Sequence, residues 1–571
     1  MIRLIRQFIT IFPQFRMIFL VFRKCWLYGG HFGIILHDIL KTRKECRYLK
    51  NADILTIGKT LNIYALDDDS INTIKQLSFV SQALRLCGWN VQVVLRNRSV
   101  LIGSMYFRAF GINRFVYLDD QKLFSDEKTQ CSRHAKELLN GELSLQNVKA
   151  WTFMECWIGP QLVATLSRLL LQGSVDFAQP EIRQRLEQIL TPLLENVIRA
   201  KKLVSQYRAD LVLTQETNYA TFGPLVDTTI ENGCEVIQMI QPWKDDALIF
   251  RRLTRATRRE HPSSVARETL DYLGQLSWTK KEQQTLDQLF QDRYSGRWFL
   301  QERNQRSTCK YTQEELVQRL QLNPKKSTAV VFSQVLWDAN LFYGEDLFED
   351  PGEWLVETVR AACKNSELNW LIKLHPANVW KRNYENIKKE YAELTLIRSK
   401  VGELPCHVKI IYADEDISTL SLFESVQYGV TVRGTAGVEL VCFGKHCVTA
   451  GTGRYSGMGF TIDSSSRVEY LNRLSTLHLQ PPMNATELQR AKWHAYAAFI
   501  LRPWTMVSAR AHFNYEKVGQ SPLDHNLSLE AHSLKQLDTN GDLGRWRDWA
   551  LSKNIDYIEL KVEEEFSSKL N

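Results

Sequence analysis

The chain is poor in the residues that mark fibrous or disordered proteins. Only 15 of its 571 residues are proline and 28 are glycine, whereas 44% are hydrophobic and 11% are aromatic. This composition excludes a collagen-like or largely disordered chain, because such chains are rich in proline and glycine or poor in apolar side chains. At about 100–200 residues per domain, the length predicts two or three folded domains.

The cysteines lack the spacing of metal sites and redox centres. All eleven lie between Cys25 and Cys447, with no C-x-x-C pair and no histidine pair at zinc-finger spacing. This arrangement predicts buried thiols in a reducing compartment and no metal site. Cys442 and Cys447 flank a predicted helix end and strand, where we expect both to pack in the core.

No apolar run is long enough to cross a membrane. Basic residues interrupt each run near the N-terminus before it reaches about 20 residues, and no cleavage site of small residues follows. Residues 1–50 carry ten basic and two acidic side chains, so the remaining chain has equal numbers of each sign. A neutral body argues against nucleic-acid binding. We expect residues 1–50 to lie on an anionic membrane surface; the alternative is a helix packed on the protein's own core.

From residue 52 onward, short β-branched or apolar runs alternate with longer helical stretches. This alternation is typical of βα units around a mainly parallel sheet. A first series predicts strands at 61–66, 90–95, 114–118, 210–214 and 234–240, and a second predicts strands at 327–333, 369–374, 407–411, 428–432 and 446–450. We therefore predict an α/β fold with two Rossmann-like domains that face a cleft, and with helical N- and C-terminal extensions.

The predicted organisation has five parts. They are a basic amphipathic membrane-surface segment at 1–50, an N-terminal Rossmann-like domain at 51–241, a helical basic linker region at 242–325, a C-terminal Rossmann-like domain at 326–480 and a helical extension at 481–571. The linker contains five arginines between Arg251 and Arg259. We interpret them as a solvated helix face in preference to a patch that grips phosphates.

The first motif of the second domain is His375-Pro376, where a predicted strand ends. Proline ends the hydrogen-bond ladder and leaves the imidazole at the edge of the sheet. Ligands bind beyond the carboxyl ends of parallel strands, so this histidine is a candidate to contact a phosphate or a leaving oxygen. The alternative is a turn histidine with structural hydrogen bonds.

The second motif runs through Arg433, Gly434, Thr435, Ala436 and Gly437 into a short predicted helix. These small residues let a ligand approach the start of the helix, where free N–H groups favour a phosphate. We expect the guanidinium of Arg433 and the hydroxyl of Thr435 to add hydrogen bonds.

Two further features accompany this turn. Glu439 lies one helical turn later, and its carboxylate is suited to accept hydrogen bonds from sugar hydroxyls. The alternative is that Glu439 completes the N-terminal cap of the helix. The next segment is rich in glycine and contains Arg454 and Tyr455. It lacks the glycine order of dinucleotide-binding and P-loop motifs, so we interpret it as a flexible binding loop.

The order of these elements resembles the capsule polysaccharide biosynthesis family, which includes the Kdo transferases of bacterial capsule assembly. The resemblance covers about residues 325–475 and includes Trp337-Asp338, Trp354, His375-Pro376, the turn after Arg433 and Tyr455–Thr461. It implies a GT-B glycosyltransferase, whose C-terminal domain holds a nucleotide-sugar and whose N-terminal domain holds the acceptor. By the same resemblance, His375 and Thr435 contact the donor phosphate, although Arg433-Gly434-Thr435 stands where many relatives have paired serines.

We expect the catalytic base among the carboxylates that follow strands of the N-terminal domain. Glu216, with Tyr219 beside it, follows one predicted strand; Asp67, Asp68 and Asp69 follow another. For Glu216, the alternative is an acid in the first turn of a helix, stabilised by the helix dipole. For the three aspartates, the alternative is a turn that caps a helix. GT-B enzymes as a class need no metal ion at this position.

The expected activity is transfer of a sugar, Kdo or a related acidic sugar, from a nucleotide-activated donor to a growing capsule polysaccharide or glycolipid. The donor is CMP-linked if the resemblance extends to it, and no further cofactor is expected. The expected location is the cytoplasm, peripheral on the inner face of the cytoplasmic membrane. Two alternatives are a glycerophosphate-type phosphotransferase and a non-catalytic scaffold of polysaccharide assembly.

Overall fold

A computed structural model describes residues 31–67, 70–171, 173–298, 308–336, 339–379, 390–514 and 521–559. Most of the predicted membrane-surface segment, residues 1–30, lies outside the described residues. So do Asp68 and Asp69, and so do Trp337 and Asp338.

The first sheet has seven strands in the order β12-β6-β5-β4-β1-β2-β3. They are β1 (Thr60–Tyr64), β2 (Asn90–Leu95), β3 (Arg114–Tyr117), β4 (Leu211–Thr214), β5 (Glu235–Ile240), β6 (Ala247–Leu253) and β12 (Trp504–Thr505). Strands β1 to β5 pair in parallel, whereas β6 is antiparallel to both of its neighbours. The strand order reverses direction between β1 and β4, which creates a topological switch point there.

The second sheet has five parallel strands in the order β11-β10-β7-β8-β9. They are β7 (Thr328–Phe332), β8 (Asn369–Lys373), β9 (Val408–Ile411), β10 (Tyr428–Thr431) and β11 (His446–Thr449). Its switch point lies between β7 and β10. A two-stranded hairpin of β13 (Ala509–Phe513) and β14 (His525–Leu529) completes the strands of the described residues.

Helices connect these strands and cover both sheets. We call the described residues of 31–298 the first half of the molecule and those of 308–559 the second half. In the first half they are α1 (His31–Glu45), α2 (Arg47–Lys50), α3 (Ile71–Val80), α4 (Gln82–Arg85), α5 (Leu101–Ala109), α6 (Ser125–Asn140), α7 (Leu145–Lys149), α8 (Ile158–Leu170), α9 (Pro180–Gln206), α10 (Gly223–Glu231), α11 (Arg267–Leu273) and α12 (Lys280–Arg293). The second half contains α13 (Gln313–Arg319), α14 (Pro351–Lys364), α15 (Ala392–Lys400), α16 (Thr419–Ser425), α17 (Thr435–Val441), α18 (Arg467–Ser475), α19 (Ala485–Tyr496), α20 (Leu534–Asn540) and α21 (Asp542–Leu551).

Local sequence explains where many helices begin. Thr279 caps α12, and the Thr279 N–H in turn donates to a carboxylate oxygen of Glu282 at 3.0 Å. Asp350 caps α14 by accepting from Glu353 N–H at 2.7 Å, and Pro351 occupies the first helical position. Such capping residues lie within a few positions of the helix start, so these helix starts can be predicted from the sequence.

The ten predicted strands are confirmed, with ends that differ by at most two residues. The α/β fold with two Rossmann-like sheets is confirmed as well. Among the described residues, no helix combines the length and the apolar composition that crossing a bilayer needs.

The prediction for the region 242–325 is wrong at its start. Residues Ala247–Leu253 form β6, a fully buried strand of the first sheet, and Arg251 and Arg252 lie on it. Arg258 is buried too, and its Nε donates to Asp227 Oδ1 at 2.7 Å. These arginines do not form a solvated helix face, because carboxylates and carbonyl groups of distant segments surround them.

The C-terminal extension is not wholly helical. Strand β12 pairs with β6 at the edge of the first sheet, and the β13–β14 hairpin packs against α3. The indoles of Trp504 and Trp546 each lie 5.6 Å from the Phe250 ring on β6. The described residues between Trp504 and Tyr557 thus contribute to the core of the first half.

The described cysteines are free, but they are not all buried. Cys46, Cys131, Cys156 and Cys447 are buried, whereas Cys87, Cys309 and Cys406 are exposed. Cys442 and Cys447 lie where expected, at the end of α17 and on β11, and burial raises the pKa of both thiols.

A buried ion-pair cluster ties the C-terminal tail to the first sheet. Asp556 Oδ1 accepts from Arg251 Nη1 at 2.9 Å and lies 3.3 Å from Arg502 Nη2, and all three side chains are fully buried. Asp556 Oδ2 also accepts from Ala266 N–H at 2.6 Å. One carboxylate therefore faces two buried guanidiniums. Removing it would leave buried Arg502 without a paired carboxylate among the described residues, and it would leave Arg251 with Glu260 alone.

We expect Asp556→Asn to destabilise the first half by about 3–5 kcal/mol, since breaking a buried pair from one side costs this much. Urea unfolding followed by tryptophan fluorescence measures the change, because three indoles pack around β6. Asp548→Asn, which alters an exposed side chain, is the matched control. A midpoint equal to that of this control would contradict the role of Asp556.

Candidate functional site

The cavity lined by most of the predicted donor-site residues lies at the carboxyl ends of β7, β8 and β10, beside the switch point of the second sheet. We call it the main cavity. Its volume is about 480 Å³, and the segment after β5 of the first sheet closes one side of it. Most of the predicted donor-site residues line it: His375, Pro376, Arg433, Gly434, Thr435, Ala436, Glu439 and Arg454. The structure thus brings together motifs that are about 60 residues apart in the chain.

His375 sits in the turn that ends β8. Its Nδ1 accepts a hydrogen bond from the Ala377 N–H at 3.1 Å, and its carbonyl accepts from the Asn378 N–H at 3.0 Å. Because Nδ1 is an acceptor here, the neutral ring carries its proton on Nε2. His375 is thereby prepared to donate a hydrogen bond.

Lys373, two residues before His375, is the most unusual residue of the site. It is the last residue of β8, is only 4% exposed and lines the main cavity. No carboxylate of the described residues lies within 4 Å of its ammonium group. Buried charges are normally paired, so an unpaired ammonium at a cavity indicates an anionic ligand.

The sequence analysis missed Lys373, although a signal was present. Residues i and i+2 of a strand point to the same face, so Lys373 and His375 share one direction if the strand continues. A lysine within an otherwise apolar buried strand is itself unusual. Burial lowers the pKa of Lys373 from its ordinary 10.5 to about 8, although Glu415 opposes the shift.

Arg433 is engaged within the protein. Its guanidinium pairs with Asp346, and its Nε donates to the Thr452 carbonyl at 2.9 Å. Lys149 Nζ lies 3.7 Å from the other oxygen of Asp346. Arg433 therefore anchors the glycine-rich loop after β11, and the phosphate contact expected of it stays a prediction.

Arg454, on that loop, differs from Arg433. Its Nη1 donates to the Arg433 carbonyl at 3.1 Å, and no carboxylate of the described residues forms an ion pair with it. Burial lowers the pKa of Arg454, which nevertheless stays charged near neutral pH. Arg454 is thus a second cation at the main cavity that lacks an acidic partner.

Tyr455 and Gly437 lie behind the cavity wall. Tyr455 is buried, and its hydroxyl donates to the Gly434 carbonyl at 2.7 Å. A Cβ atom at Gly437 would lie 2.2 Å from this hydroxyl oxygen, so only glycine fits there. These two residues support the turn before α17, which begins without a side-chain cap and is only seven residues long. Cationic side chains must therefore supply most of the positive potential.

Glu439 lines the main cavity, but an arginine holds its carboxylate. Arg293 Nε donates to Glu439 Oε1 at 2.7 Å, and both side chains are buried. The Arg293 guanidinium also lies 5.2 Å from the Trp243 ring and 4.7 Å from the Phe499 ring. Arg293 and Trp243 belong to the region predicted as a linker, and their roles could not be inferred from local sequence.

Several buried polar atoms at the main cavity have no hydrogen-bond partner within the described part of the chain. They are Ser333 Oγ, Arg293 Nη1, Trp243 Nε1 and both ring nitrogens of His494. Burial, with Arg454 nearby, lowers the pKa of His494 to about 3, so its ring is neutral. Native proteins satisfy more than about 90% of buried polar groups. A cluster of unsatisfied atoms around one cavity indicates that a polar ligand or water fills it.

A second cavity, which we call the N-terminal pocket, lies at the carboxyl ends of β1 and β4. It has a volume of about 470 Å³, and Asp67, Glu216 and Tyr219 line it together. Glu216 Oε1 accepts from the N–H groups of Thr217 at 2.7 Å and Asn218 at 2.9 Å. Glu216 therefore does not line the cavity that contains His375; it sits at the switch point of the other sheet.

No group of three or more His, Cys, Asp or Glu side chains within the described ranges is arranged to hold a metal ion.

Comparison with known proteins agrees with the resemblance stated above. Residues 276–489 match the model of the family described as capsule polysaccharide biosynthesis protein, a longer stretch than the motifs alone suggested. The match includes α12 with Arg293 as well as the turns at His375 and Arg433. No curated protein matches the chain.

Several solved structures match the chain at low sequence identity. The beta Kdo 2,4 transferase of Thermosulfurimonas dismutans KpsC is 15% identical and has a TM-score of 0.30, with 59% of this chain and 87% of that chain covered. The beta Kdo 2,7 transferase of the same protein is 14% identical and has a TM-score of 0.29, and the match covers 61% of this chain and 88% of that chain. Anabaena Alr3699/HepE in complex with UDP is 12% identical and has a TM-score of 0.28, and the match covers 77% of this chain and 95% of that chain. Superpositions with scores this low carry no information about substrate.

The unpaired charge of Lys373 has a consequence for stability. The folded protein holds this lysine with a depressed pKa, so the buried charge costs stability below about pH 8 and the cost disappears as the pH rises towards 10.5. We expect Lys373→Met to raise the free energy of unfolding at pH 7 by about 3 kcal/mol. Thermal melting of both proteins between pH 7 and 10.5 should show the difference shrinking.

Lys364→Met, at the exposed end of α14, serves as the control and should leave the melting temperature almost unchanged. A Lys373→Met protein that melts below the wild type at pH 7 would show that the ammonium has a stabilising partner.

Proposed function

We propose that the chain is a glycosyltransferase of bacterial surface polysaccharide synthesis, which binds a nucleotide-activated sugar in the main cavity. One observation carries the proposal: Lys373 and Arg454 line this cavity beside His375, and neither forms an ion pair with a carboxylate of the described residues. Two uncompensated cations at the carboxyl ends of parallel strands are suited to an anionic ligand such as a nucleotide. The family match over residues 276–489 supports the same conclusion.

The number of unpaired cations supports a donor with two negative charges. A CMP-linked acidic sugar carries one charge on its phosphodiester and one on its carboxylate, whereas a CMP-linked neutral sugar carries only one. Arg293 and Arg433 do not add to this count, because Glu439 and Asp346 neutralise them. Kdo and related 2-keto acid sugars therefore fit the proposed site. The diphosphate of a UDP-sugar or of CDP-glycerol has the same total charge, and turnover must decide between them.

In the proposed reaction, the bond between the sugar and the phosphate breaks while the acceptor hydroxyl forms a bond to the same sugar carbon. The departing phosphate gains negative charge, which Lys373, Arg454 and the Nε2–H of His375 would stabilise. Because these groups are held by the sheet and its turns, little reorganisation is needed when the charge develops.

We propose that the acceptor binds in the N-terminal pocket. Its lining combines the carboxylates of Asp67 and Glu216 with the phenol of Tyr219, and such groups suit sugar hydroxyls. Either carboxylate is a candidate to take the proton of the acceptor hydroxyl. Asn218 links this pocket to the second half, since its N–H donates to Glu216 and its amide group donates to the Tyr343 hydroxyl.

A donor panel tests the proposed activity. The full chain is incubated with a CMP-linked acidic sugar, a UDP-sugar or CDP-glycerol and with capsule oligosaccharide, and the released nucleotide and the product are measured. We expect CMP release with a sugar added to the acceptor. Release of CMP with glycerophosphate transfer would instead establish a phosphotransferase, and binding without turnover of any donor would indicate a scaffold.

His375→Asn is the most informative variant for this assay. The asparagine oxygen replaces Nδ1 as acceptor of the Ala377 N–H in an Asx turn, so the turn is kept while the Nε2 donor is lost. We expect kcat/KM to fall by about 100-fold or more, as for other lost oxyanion donors. His512→Asn, on the exposed hairpin, is the control. Near-normal turnover of His375→Asn would remove the proposed site.

We also propose that the protein binds peripherally to the inner face of the cytoplasmic membrane. Besides the basic residues of 1–30, the described helix α1 exposes Lys41, Arg43 and Lys44 together with Ile34 and Leu40. Cations interspersed with exposed apolar side chains suit a surface of anionic lipid.

Cosedimentation with phosphatidylglycerol vesicles tests this location. Each cation near the surface contributes about 1 kcal/mol to binding, so the double variant Lys41→Gln and Lys44→Gln should bind these vesicles about tenfold or more weakly. The matched control is Lys325→Gln, which alters an exposed lysine of the second half. Equal binding to neutral phosphatidylcholine vesicles would contradict the electrostatic part of the proposal.

A further inference from the structure

The dipeptide His-Pro occurs twice in the chain, at His375-Pro376 and at His261-Pro262. Both copies form the same turn. His261 Nδ1 accepts from the Ser263 N–H at 3.1 Å, just as His375 Nδ1 accepts from the Ala377 N–H at 3.1 Å. The His261 carbonyl accepts from the N–H three residues later at 2.8 Å, and the His375 carbonyl does the same at 3.0 Å.

The two turns come from different halves of the molecule and meet at one cavity. His261 follows β6 of the first sheet, His375 follows β8 of the second, and both rings line the main cavity. The His261 N–H donates to the Gly453 carbonyl at 2.7 Å, which attaches this turn to the loop that carries Arg454. The ring also lies 4.9 Å from the ring of Tyr343. Tertiary contacts therefore hold His261 at the cavity.

The hydrogen bonds of His261 define what its ring can do. Nδ1 accepts from Ser263 N–H and lies 2.7 Å from the Ser263 hydroxyl, so the lone pair of Nδ1 is already used. The proton of the neutral ring must then be on Nε2. A ring in this state cannot act as a base towards the cavity, but it can donate one hydrogen bond.

The surroundings of His261 keep the ring neutral. Burial lowers its pKa well below the ordinary value of 6.5, and the cations of Arg454, Arg433, Arg251 and Arg502 add to the shift. The ring therefore supplies a hydrogen-bond donor without adding a charge to the cavity, which already contains the cations of Lys373 and Arg454.

We propose that His261 is a second ligand-binding histidine of the main cavity, whose Nε2–H donates a hydrogen bond to an oxyanion of the bound donor. This inference rests on the proposed function of the cavity. The oxyanion is either a phosphate oxygen or the carboxylate of an acidic sugar, because both are acceptors that suit a neutral imidazole donor. Paired with His375, it would bring donors from both halves of the molecule to one ligand.

Two variants separate the role in binding from the role in the turn. In His261→Asn, the side-chain oxygen takes over the bond from Ser263 N–H in an Asx turn, while the Nε2 donor is lost. In His261→Gln, the longer amide returns an N–H group to the region of Nε2. Both full-length variants should melt within a few degrees of the wild type when no ligand is present.

Isothermal titration with two probes, CMP and CMP-N-acetylneuraminate, then measures the binding. We expect His261→Asn to weaken binding by about tenfold, the usual effect of one hydrogen bond to a charged group, and His261→Gln to recover most of it. Weakening for both probes assigns the contact to the phosphate. Weakening for the CMP-linked acid alone assigns it to the carboxylate.

The control is His446→Asn, outside the main cavity, whose ring lies 2.6 Å from the Pro481 carbonyl. Wild-type affinity of His261→Asn for both probes would overturn this inference and leave the proposed function intact. So would a His261→Gln protein that binds as weakly as His261→Asn, since the Nε2 position would then be irrelevant. A wild-type protein that binds neither probe would overturn the proposed CMP-linked donor, and this inference with it.

Discussion

The central constraint of this structure is the buried ammonium of Lys373 at the end of β8. Its charge is removed from water, and no carboxylate of the described residues forms an ion pair with it, although Glu415 favours the charged form. A buried charge without a close partner costs stability, and a bound anion would remove that cost. Two neighbouring features add to this: Ser333, the residue after β7, has a hydroxyl without a hydrogen-bond partner among the described residues, and Arg454 brings to the same cavity a second cation that no described carboxylate pairs with.

The rest of the fold holds these groups in place. The glycine-rich loop that carries Arg454 is anchored by the Arg433–Asp346 pair and by the backbone bond between His261 and Gly453. The segment of His261 is itself held by Arg251, which shares Asp556 with Arg502 of the C-terminal extension. The C-terminal tail, though remote in sequence, thereby contributes to the geometry of the main cavity.

Sequence patterns predicted the parallel strands because a buried strand is a short run of β-branched and apolar residues, and that signal is local. They failed at β6, where Arg251 and Arg252 interrupt the apolar pattern. These arginines are tolerated in a buried strand because Asp556 and Glu235 pair with them, and Asp556 lies 305 residues from Arg251. The same limit applies to Glu216, which a strand-end argument grouped with His375 but which lines the other cavity.

The sequence by itself determined the positions of the parallel strands, the turn at His375 and the small-residue turn before α17, since each depends on residues within about ten positions of one another. Only the tertiary structure decided which charges are neutralised. Arg293 meets Glu439 across 146 positions and Arg433 meets Asp346 across 87, whereas no carboxylate in the described part of the chain pairs with Lys373 or Arg454. The physical reason is that an ion pair requires a few ångströms between its atoms, and the distance between residues remote in sequence exists only in the folded chain.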